Sequence, residues 1–486
     1  MPETLPVESS LNYWHRDARR RRMQKFFEDA AAARPAWKQR NRHYHREVER
    51  FYRGVIPPGA RVVDLGCGDG DVLAAVRPSC GVGIDWSETM LAQAAARHPD
   101  LTFVLEDVEQ LRLEEPFDYV ICSNVLGSLV DVQRALEHIR KLCHPGTRLI
   151  ITDDNALWKP VMRLAQALGW AMPQPPRNWL SRSTIVQVLE LSGFSVIKTD
   201  GRLLCPLPVP WLASWINHII ARLPLLGRLG CLSVVLARPT GPPAVAAPSC
   251  SVIIPCRNER GTIEALVSRI PDMGSETEII FIDGHSPDGT AEEIERVIAA
   301  MPHRRIRLIR QTSAGKRDAV REGFAEATGE IFMILDADMT VSPEELLKFY
   351  RALVDGHGEL IYGVRLAYPM DGKAMQRLNV IANKGFAMLF SYLLEQPCGD
   401  TMCGMRALWR SDYARIRANQ HVFGEIDPFG DFDLLFGAAR LNLQTTGIPV
   451  RYTERMYGRT NIRRFVHGWQ LLQMCCTALR PLKFSS

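Results

Sequence analysis

The sequence predicts an α/β protein with two open, mostly parallel sheets, each covered by helices. Two observations support this fold class: short apolar runs alternate with helical patterns in both halves, and several of these runs end in acidic or glycine-rich loops. The clearest run is Ile331 to Leu335, which is followed by Asp336 and Asp338. Strands buried on both faces are continuously apolar, and open α/β sheets bind ligands at the carboxyl ends of their strands.

Composition describes an ordinary globular protein long enough for two to four domains. The 486 residues are 46% hydrophobic and 23% charged, and the net charge of +5 is too small to indicate a nucleic-acid partner. A run of four arginines, Arg19 to Arg22, is interpreted as a solvated helix face, with a phosphate or membrane-surface contact as the alternative.

The cysteines and the apolar segments indicate a cytoplasmic protein. Twelve cysteines occur without any Cys-x-x-Cys pair, which favours reduced thiols over a zinc site or a disulfide framework. The amino terminus lacks the pattern of a signal peptide. The most apolar stretch, Leu203 to Leu236, is interrupted by prolines and arginines, so we predict no transmembrane helix. Peripheral contact with the inner membrane face stays open as an alternative.

A stretch rich in proline and alanine, residues 239–249, has the composition of a semi-rigid spacer. It predicts a first domain over residues 1–238, with a basic helical segment at 12–53, and a second domain over residues 250–486. Both halves alternate strands and helices, but their motifs differ.

A glycine-rich loop follows the first predicted strand of the first half. Gly66, Gly68 and Gly70 allow a ligand to approach the backbone closely, and the next helix directs its amino terminus at that ligand. A dinucleotide pattern would place a small residue where Asp71 stands, so a cofactor without phosphates fits better. The second strand ends at Asp85, at the spacing of a carboxylate that contacts ribose hydroxyls.

These motifs resemble the class I S-adenosylmethionine (SAM)-dependent methyltransferases over roughly residues 44–238. The resemblance implies SAM as cofactor and assigns it a set of binding residues: Asp64, Gly66, Gly68 and Gly70 for the methionine part, Asp85 for the ribose, Asp107 with Val108 for the adenine, and Ser123 or Asn124 near the sulfonium.

Methyl transfer depends on alignment of the reactants and exclusion of water, and it does not require a dedicated base. Tyr44, His45 and His144 are candidates for such a base, but the sequence does not single one of them out. We expect the acceptor to be selected by the N-terminal helices and by residues 157–180. Two alternatives stay open: a module that binds SAM or the acceptor without turnover, and a dinucleotide-dependent sugar-modifying domain.

The second half carries the acidic pair. Side chains at i and i+2 of an extended segment point the same way, so Asp336 and Asp338 can share one Mg²⁺ or Mn²⁺ while leaving positions for diphosphate oxygens. Another predicted strand ends at Asp283, and Lys316 lies near a helix amino terminus, where cations suit phosphate. The combination predicts a site for a nucleotide-sugar donor.

This succession resembles the family 2 glycosyltransferases, most closely their dolichol- or polyprenyl-phosphate sugar transferase branch, over residues 251–469. The resemblance implies a glycosyltransferase A fold, a polyprenyl-phosphate or glycan acceptor, and three groups of site residues. They are the donor residues Pro255, Arg257, Asn258, Glu259, Asp283 and Lys316, the metal residues Asp336 and Asp338, and Asp400, Arg406 and Arg455 of the acceptor-side and arginine motifs.

The last motif departs from the family at Thr460 and Asn461, and the candidates to replace the missing lysine are Arg459, Arg463 and Arg464. We expect transfer with inversion. A phosphate acceptor needs no base, whereas a sugar hydroxyl does, with Asp431 or Asp433 as candidates that could equally be an acidic helix start.

Residues 380–394 and 465–481 suit either a membrane surface or ordinary packing. A fusion of the two activities would favour successive steps on one glycan or glycolipid.

Overall fold

The computed structural model describes residues 8–175, 177–207, 209, 211–223, 226–241, 245–368, 377–419, 427, 430, 432–457 and 464–484. The chain separates into two compact units, with the division between Thr240 and Gly241. Pro239, which the sequence assigned to the spacer, is the last residue of a strand and pairs with Phe194. A proline is tolerated there because it stands at the end of the ladder.

The first unit contains a seven-stranded sheet: β1 Arg61–Leu65, β2 Cys80–Asp85, β3 Thr102–Leu105, β4 Phe117–Ser123, β5 Cys143–Asp154, β6 Phe194–Arg202 and β7 Leu232–Pro239. The strand order is β3-β2-β1-β4-β5-β7-β6, and only β7 runs antiparallel to its neighbours. The order reverses between β1 and β4, which places a ligand crevice at the carboxyl ends of these strands.

Helices accompany this sheet: α1 Glu8–Ala30, α2 Arg34–Arg40, α3 Arg42–Val55, α4 Asp71–Ala75, α5 Glu88–Arg97, α6 Val132–Arg140, α7 Lys159–Ala167, α8 Arg182–Leu191 and α9 Leu212–His218. Side chains cap three of them: Ser87 accepts from the amide of Met90 at α5, Asp131 from that of Arg134 at α6, and Ser181 from that of Thr184 at α8. The first three helices confirm the helical reading of residues 12–53.

The second unit contains another seven-stranded sheet: β8 Cys250–Cys256, β9 Thr277–Asp283, β10 Arg305–Arg310, β11 Ile331–Ile334, β12 Leu360–Val364, β13 Arg406–Trp409 and β14 Thr445–Pro449. Its order is β10-β9-β8-β11-β13-β12-β14, with β13 antiparallel to β11 and β12. The order reverses between β8 and β11, so this sheet also has a ligand crevice at its carboxyl edge.

The helices of the second unit are α10 Ile263–Arg269, α11 Thr290–Ala300, α12 Lys316–Glu326, α13 Leu346–Val354, α14 Arg377–Leu394, α15 Arg410–Ala418, α16 Phe432–Arg440 and α17 Arg464–Leu479. They cover both faces of the sheet, and the strands β8, β9 and β11 are almost completely buried. The predicted α/β fold class is confirmed. Within the described parts of the chain, no helix combines the length and apolarity needed to cross a bilayer.

Candidate active sites

Three loops meet at the switch point of the second sheet, after β8, β9 and β11. Each contains a non-glycine residue with positive φ: Asn258 at 61°, His285 at 57° and Met339 at 57°. Such backbone is uncommon for these side chains and concentrates at functional sites. The antiparallel bridge between Val341 and Tyr452 brings the segment that carries Arg455 to the same edge.

Asp336 lies two residues beyond β11 and faces the amino terminus of α12. Its Oδ1 is 2.6 Å from Nζ of Lys316, the first residue of that helix. Gly404 lies directly against this ion pair, because a Cβ at this position would be 2.8 Å from both Cγ of Asp336 and Nζ of Lys316. The glycine of the Asp400–Arg406 motif therefore makes room for this ion pair.

Asp338 is held by its own loop and by Arg455. Its Oδ1 accepts hydrogen bonds from the amide and the hydroxyl of Thr340, at 3.1 and 2.8 Å. Its Oδ2 is 3.2 Å from Nη2 of Arg455. Nη1 of the same guanidinium is 2.9 Å from Oε1 of Glu259, so Arg455 joins the loops that follow β8 and β11.

Glu259 is buried beneath this guanidinium. Burial, with a smaller contribution from the negative charge of Asp338, raises the pKa of its carboxyl to about 7, although Arg455 opposes both effects. Its Oε2 is buried without a hydrogen-bond partner among the described residues. The carboxyl therefore changes its protonation state near neutral pH.

Asp283, the last residue of β9, offers a free buried acceptor. Its Oδ2 accepts a hydrogen bond from the amide of Ser286 at 3.2 Å, while its Oδ1 is buried and has no partner among the described residues. A buried carboxylate oxygen without a donor favours a ligand N–H at this position. Pro255 lies on β8, and Arg257 is exposed in the loop that follows.

The predicted acceptor residues lie inside the fold. Asp400 accepts hydrogen bonds from Nε and Nη2 of Arg365, at 2.8 and 2.9 Å, and from Nδ2 of Asn383 at 2.8 Å. These contacts outweigh burial and lower the pKa of Asp400. Arg406 is completely buried on β13 and donates to the carbonyl of Thr401. Neither Asp400 nor Arg406 reaches solvent, so their contact with an acceptor stays a prediction.

Two further candidates, Asp431 and Arg459, lie outside the described residues. Asp433 is the second residue of α16, is buried, and has its Oδ2 2.8 Å from Nη2 of Arg321. This ion pair joins α16 to α12, which gives Asp433 a structural role whether or not it acts as a base.

The acid pair provides a suitable donor set for a hard divalent cation. Within the described residues, no group of three or more His, Cys, Asp or Glu side chains could enclose a metal. Mg²⁺ characteristically binds through one or two carboxylates, with water and substrate phosphates in the remaining positions. Asp336 and Asp338 fit that arrangement.

In the first sheet, the loop after β1 forms the predicted cradle. Gly66, Gly68 and Gly70 have φ values of 70°, 54° and 74°. A Cβ at Gly66 would clash with Val125 at 2.6 Å, and one at Gly70 with Phe103 at 2.9 Å. Close packing against Val125 and Phe103, together with positive φ, therefore requires glycine at these two positions of the loop.

Buried polar atoms surround this cradle. Burial, reinforced by the charges of Asp85 and Asp69, raises the pKa of Asp64 well above its usual value, and Oδ1 of Asp64 has no partner among the described residues. Asp85 accepts hydrogen bonds from the amides of Gly68 at 2.9 Å and Ser87 at 3.0 Å. Asn124, with φ 58°, leaves its Oδ1 buried without a described partner. These acceptors fit a polar cofactor.

Basic side chains of the N-terminal helices complete the site, which the sequence reading missed. Arg20 forms ion pairs with Asp107 and with Glu109, the latter at 3.2 Å. Lys38 lies 2.8 Å from Asp69 and 2.5 Å from Asp71. The reading of Arg19 to Arg22 as a solvated face is wrong for its first half, since Arg19 also donates to Asn178 at 2.8 Å. The sequence signal for these ion pairs was the presence of a basic N-terminal helical segment together with acidic loops at the strand ends.

Val108 starts a 3-10 turn after Asp107 and is buried. At the end of β5, Arg177 forms ion pairs with Asp153 and Asp154, which anchors the 157–180 segment at the sheet edge. Tyr44 accepts a hydrogen bond from Nδ2 of Asn124 at 3.1 Å, and burial raises the pKa of its phenol well above normal. Burial also lowers the pKa of the neighbouring His45 to about 4.

Comparison with known proteins agrees with this geometry. The family model "Glycosyl transferase family 2" matches residues 251–417, and a "Methyltransferase domain" model matches residues 36–199. The dolichol-phosphate mannosyltransferase of Pyrococcus furiosus is 39% identical over 245 residues, an alignment that covers 48% of this chain and 67% of that protein. The undecaprenyl-phosphate 4-deoxy-4-formamido-L-arabinose transferase of Edwardsiella ictaluri is 25% identical, with coverage of 43% and 62%.

Among solved structures, a SAM-dependent methyltransferase from Thermotoga maritima superposes with a TM-score of 0.36 at 16% identity, covering 44% of this chain and 99% of that one. Fold and sites together define a two-domain transferase. The chain belongs to family 2 of the glycosyltransferases through its second unit, and its first unit contains a methyltransferase domain.

Proposed function

We propose that the second unit transfers a sugar from a nucleotide-sugar to a polyprenyl phosphate, with a divalent cation held by Asp336 and Asp338. The observation that carries this proposal is the meeting of the two aspartates with Lys316 and Arg455 beside the buried acceptor Asp283. The mannosyltransferase and the 4-deoxy-4-formamido-L-arabinose transferase to which this chain is similar are named for dolichol phosphate and undecaprenyl phosphate, respectively.

Each residue has a physical role in this proposal. Asp283 accepts an N–H of the nucleotide base with its unpartnered oxygen. The bound cation would supply charge neutralisation for the diphosphate leaving group. Lys316 and Arg455 now neutralise the two aspartates, and both can turn toward phosphate when the donor arrives.

A phosphate acceptor is favoured over a sugar hydroxyl. A phosphate is already ionised at neutral pH and needs no general base. Asp433, the described candidate base, is occupied by Arg321. This makes a glycan acceptor the second candidate.

For the first unit we propose SAM-dependent methylation of a small molecule or of the same glycan or lipid. The cradle of three glycines in left-handed conformation and the unpartnered oxygens of Asp64 and Asn124 support SAM binding. Asp85 is the proposed ribose contact, and Asp107 with Val108 the adenine contact.

The sugar transfer is tested with the full chain, a panel of nucleotide-sugars and a detergent-dispersed polyprenyl phosphate, with Mn²⁺, Mg²⁺ or EDTA. We expect transfer with a metal and none with EDTA, and at least a thousandfold lower rate for Asp338→Asn. Asp272→Asn, an exposed carboxylate elsewhere in the unit, is the control. Equal rates for wild type and Asp338→Asn, or turnover only with a sugar hydroxyl acceptor, would overturn the proposal.

A further inference from the structure

The first unit exposes a group of large apolar side chains on two segments, residues 157–170 and 207–229, which we call the apolar face. Trp211 is 92% exposed, Trp170 57% and Trp215 53%. Among the side chains of residues 18–240 that the structure describes, large apolar ones with comparable exposure lie outside the apolar face only at Leu105 and Leu191. Single exposed leucines are ordinary, whereas a contiguous apolar surface marks an interaction site.

Hydrogen bonds hold the two segments next to each other. Nδ2 of Asn155 donates to the carbonyls of Arg228 and Gly230, at 3.1 and 2.8 Å. Nε1 of Trp158 donates to the carbonyl of Leu229 at 2.7 Å. The 3-10 turn Ala156–Trp158, which leads into α7, is therefore fixed against the 3-10 turn Gly227–Leu229.

Helix α7 presents its apolar stripe to solvent. Val161, Leu164 and, one residue past the helix end, Leu168 follow the i, i+3, i+7 spacing of one helix side, and all three are exposed. No residue of α7 is buried. A helix that packed this stripe against its own domain would show the opposite pattern.

The charge of the apolar face is entirely positive. Residues 155–176 and 203–232 contain no Asp or Glu, but they contain Lys159, Arg163, Arg222 and Arg228. Arg163 and Arg228 are exposed. Anionic bilayers attract basic residues next to their surface, and tryptophan is enriched at the level of the lipid headgroups.

A second copy of the chain is a poorer occupant. A twofold contact through this surface would place the same cations against each other, and the two segments offer no carboxylate to separate them. Anionic headgroups match the cations, and the upper acyl region accepts the leucine and tryptophan side chains.

We propose that the apolar face docks the methyltransferase unit onto an anionic lipid bilayer, with Trp211 and Trp215 inserted at the interface. The docking surface is built only from the first unit, so it stands whether or not the second unit uses a lipid acceptor. It differs from the two stretches of the second half whose sequence suits a membrane surface.

The test uses the full chain and sedimentation with vesicles of phosphatidylcholine alone or mixed with phosphatidylglycerol. We expect binding to the mixed vesicles. Trp211→Ser with Trp215→Ser should weaken it at least tenfold, since each loses apolar insertion. Arg163→Glu with Arg228→Glu should remove the preference for the anionic lipid. Leu105→Ser with Leu191→Ser, matched as exposed apolar positions outside the face, should bind like the wild type.

A quenching measurement tests whether the apolar face, and not the second unit, contacts the bilayer, and a melting measurement serves as the folding control. Brominated acyl chains should quench tryptophan fluorescence of the wild type more than that of Trp211→Phe with Trp215→Phe, and circular dichroism melting verifies that each variant is folded. The proposal is overturned if the full chain ignores anionic vesicles, or if the tryptophan variants change neither binding nor quenching. It is also overturned if light scattering finds a dimer that the serine variants dissolve while vesicle binding persists.

Discussion

Gly404→Ala should inactivate sugar transfer without unfolding the protein. The backbone at Gly404 is outside the left-handed region, so alanine is compatible with its conformation. The added Cβ would collide with Oδ2 of Asp336, the nearest atom, and would lie 2.8 Å from Cγ of Asp336 and from Nζ of Lys316, where about 3.5 to 4.0 Å is normal. The carboxylate must therefore move by at least about 1 Å, and it can do so because it ends a flexible side chain.

The magnitude follows from that displacement. A misplacement of about 1 Å at a catalytic group costs about a hundredfold in rate, equivalent to roughly 2.7 kcal/mol. The stability cost is smaller, because Asp336 is about a third exposed and a solvent-screened ion pair contributes only about 0.2 to 1 kcal/mol. We expect kcat to fall about a hundredfold and the metal concentration for half-maximal activity to rise, with little change in Tm.

The assay measures initial rates of sugar transfer across an Mn²⁺ titration, which give kcat and the metal dependence. Thermal melts give Tm. Gly385→Ala is the matched control, since a Cβ at this exposed position of α14 meets nothing within 4 Å. It should keep its activity and gain about 0.5 to 1 kcal/mol of stability as a helical glycine replaced by alanine. Full activity and unchanged metal dependence in Gly404→Ala would refute the assignment of Asp336.

The remaining predictions concern three other groups. Asp283→Asn should raise the KM for the nucleotide-sugar about 10- to 100-fold at unchanged Tm, because a hydrogen bond to a charged acceptor is worth about 1.5 to 3 kcal/mol; an unchanged KM would exclude the base contact. Gly68→Ala and Gly59→Ala both place alanine at positive φ, which should lower the unfolding free energy by about 1 to 2 kcal/mol in each variant. Only Gly68→Ala should abolish the rise in Tm caused by S-adenosylhomocysteine. Because the pKa of Glu259 is raised to about 7, the contribution of this group to stability is complete below about pH 4.5 and is lost as pH rises through 7. Between pH 5 and 8, the unfolding free energy of the wild type should therefore fall relative to that of Glu259→Gln. Parallel pH profiles for the two proteins would contradict this.

The sequence located the strand ends of both sites because local pattern determines them. The apolar run before Asp336 and Asp338 had the length of a buried strand, and β11 ends two residues before Asp336. The glycine loop after Asp64 likewise follows β1 directly. Both features depend on a few consecutive residues, and the sheet order then brings the strand ends together.

The pattern of consecutive residues could not predict contacts between distant segments of the chain. The pairing of Lys316 with Asp336 and of Arg455 with Glu259 joins residues 20 and 196 positions apart, respectively, and periodicity carries no information on such partners. The same limit explains why the basic helix α1 was read as solvated. Burial of Arg406 was missed for another reason: an arginine in a sugar-transferase motif suggests a phosphate contact, whereas strand β13 places it inside the sheet.

The two sites differ in how their aspartates are satisfied, and this difference determines which ligand each can accept. In the first unit, Asp85 is held by the amides of Gly68 and Ser87, which are fixed by the backbone. A carboxylate bound in this way stays in place, and its remaining lone pairs are available to the hydroxyl or amine donors of a ligand.

In the second unit, Asp336 is paired with the side chain of Lys316, and Asp338 is held at Oδ1 by Thr340 and paired at Oδ2 with the side chain of Arg455. Those cations can move to a diphosphate and leave both carboxylates for a metal ion, so that charge stays balanced when the donor binds. Replacing Lys316 with methionine should therefore weaken donor binding in the presence of the metal more than it weakens binding of the metal alone, which isothermal titration with Mn²⁺ and then with the nucleotide-sugar can measure. A variant that lost both affinities equally would show that Lys316 only positions Asp336.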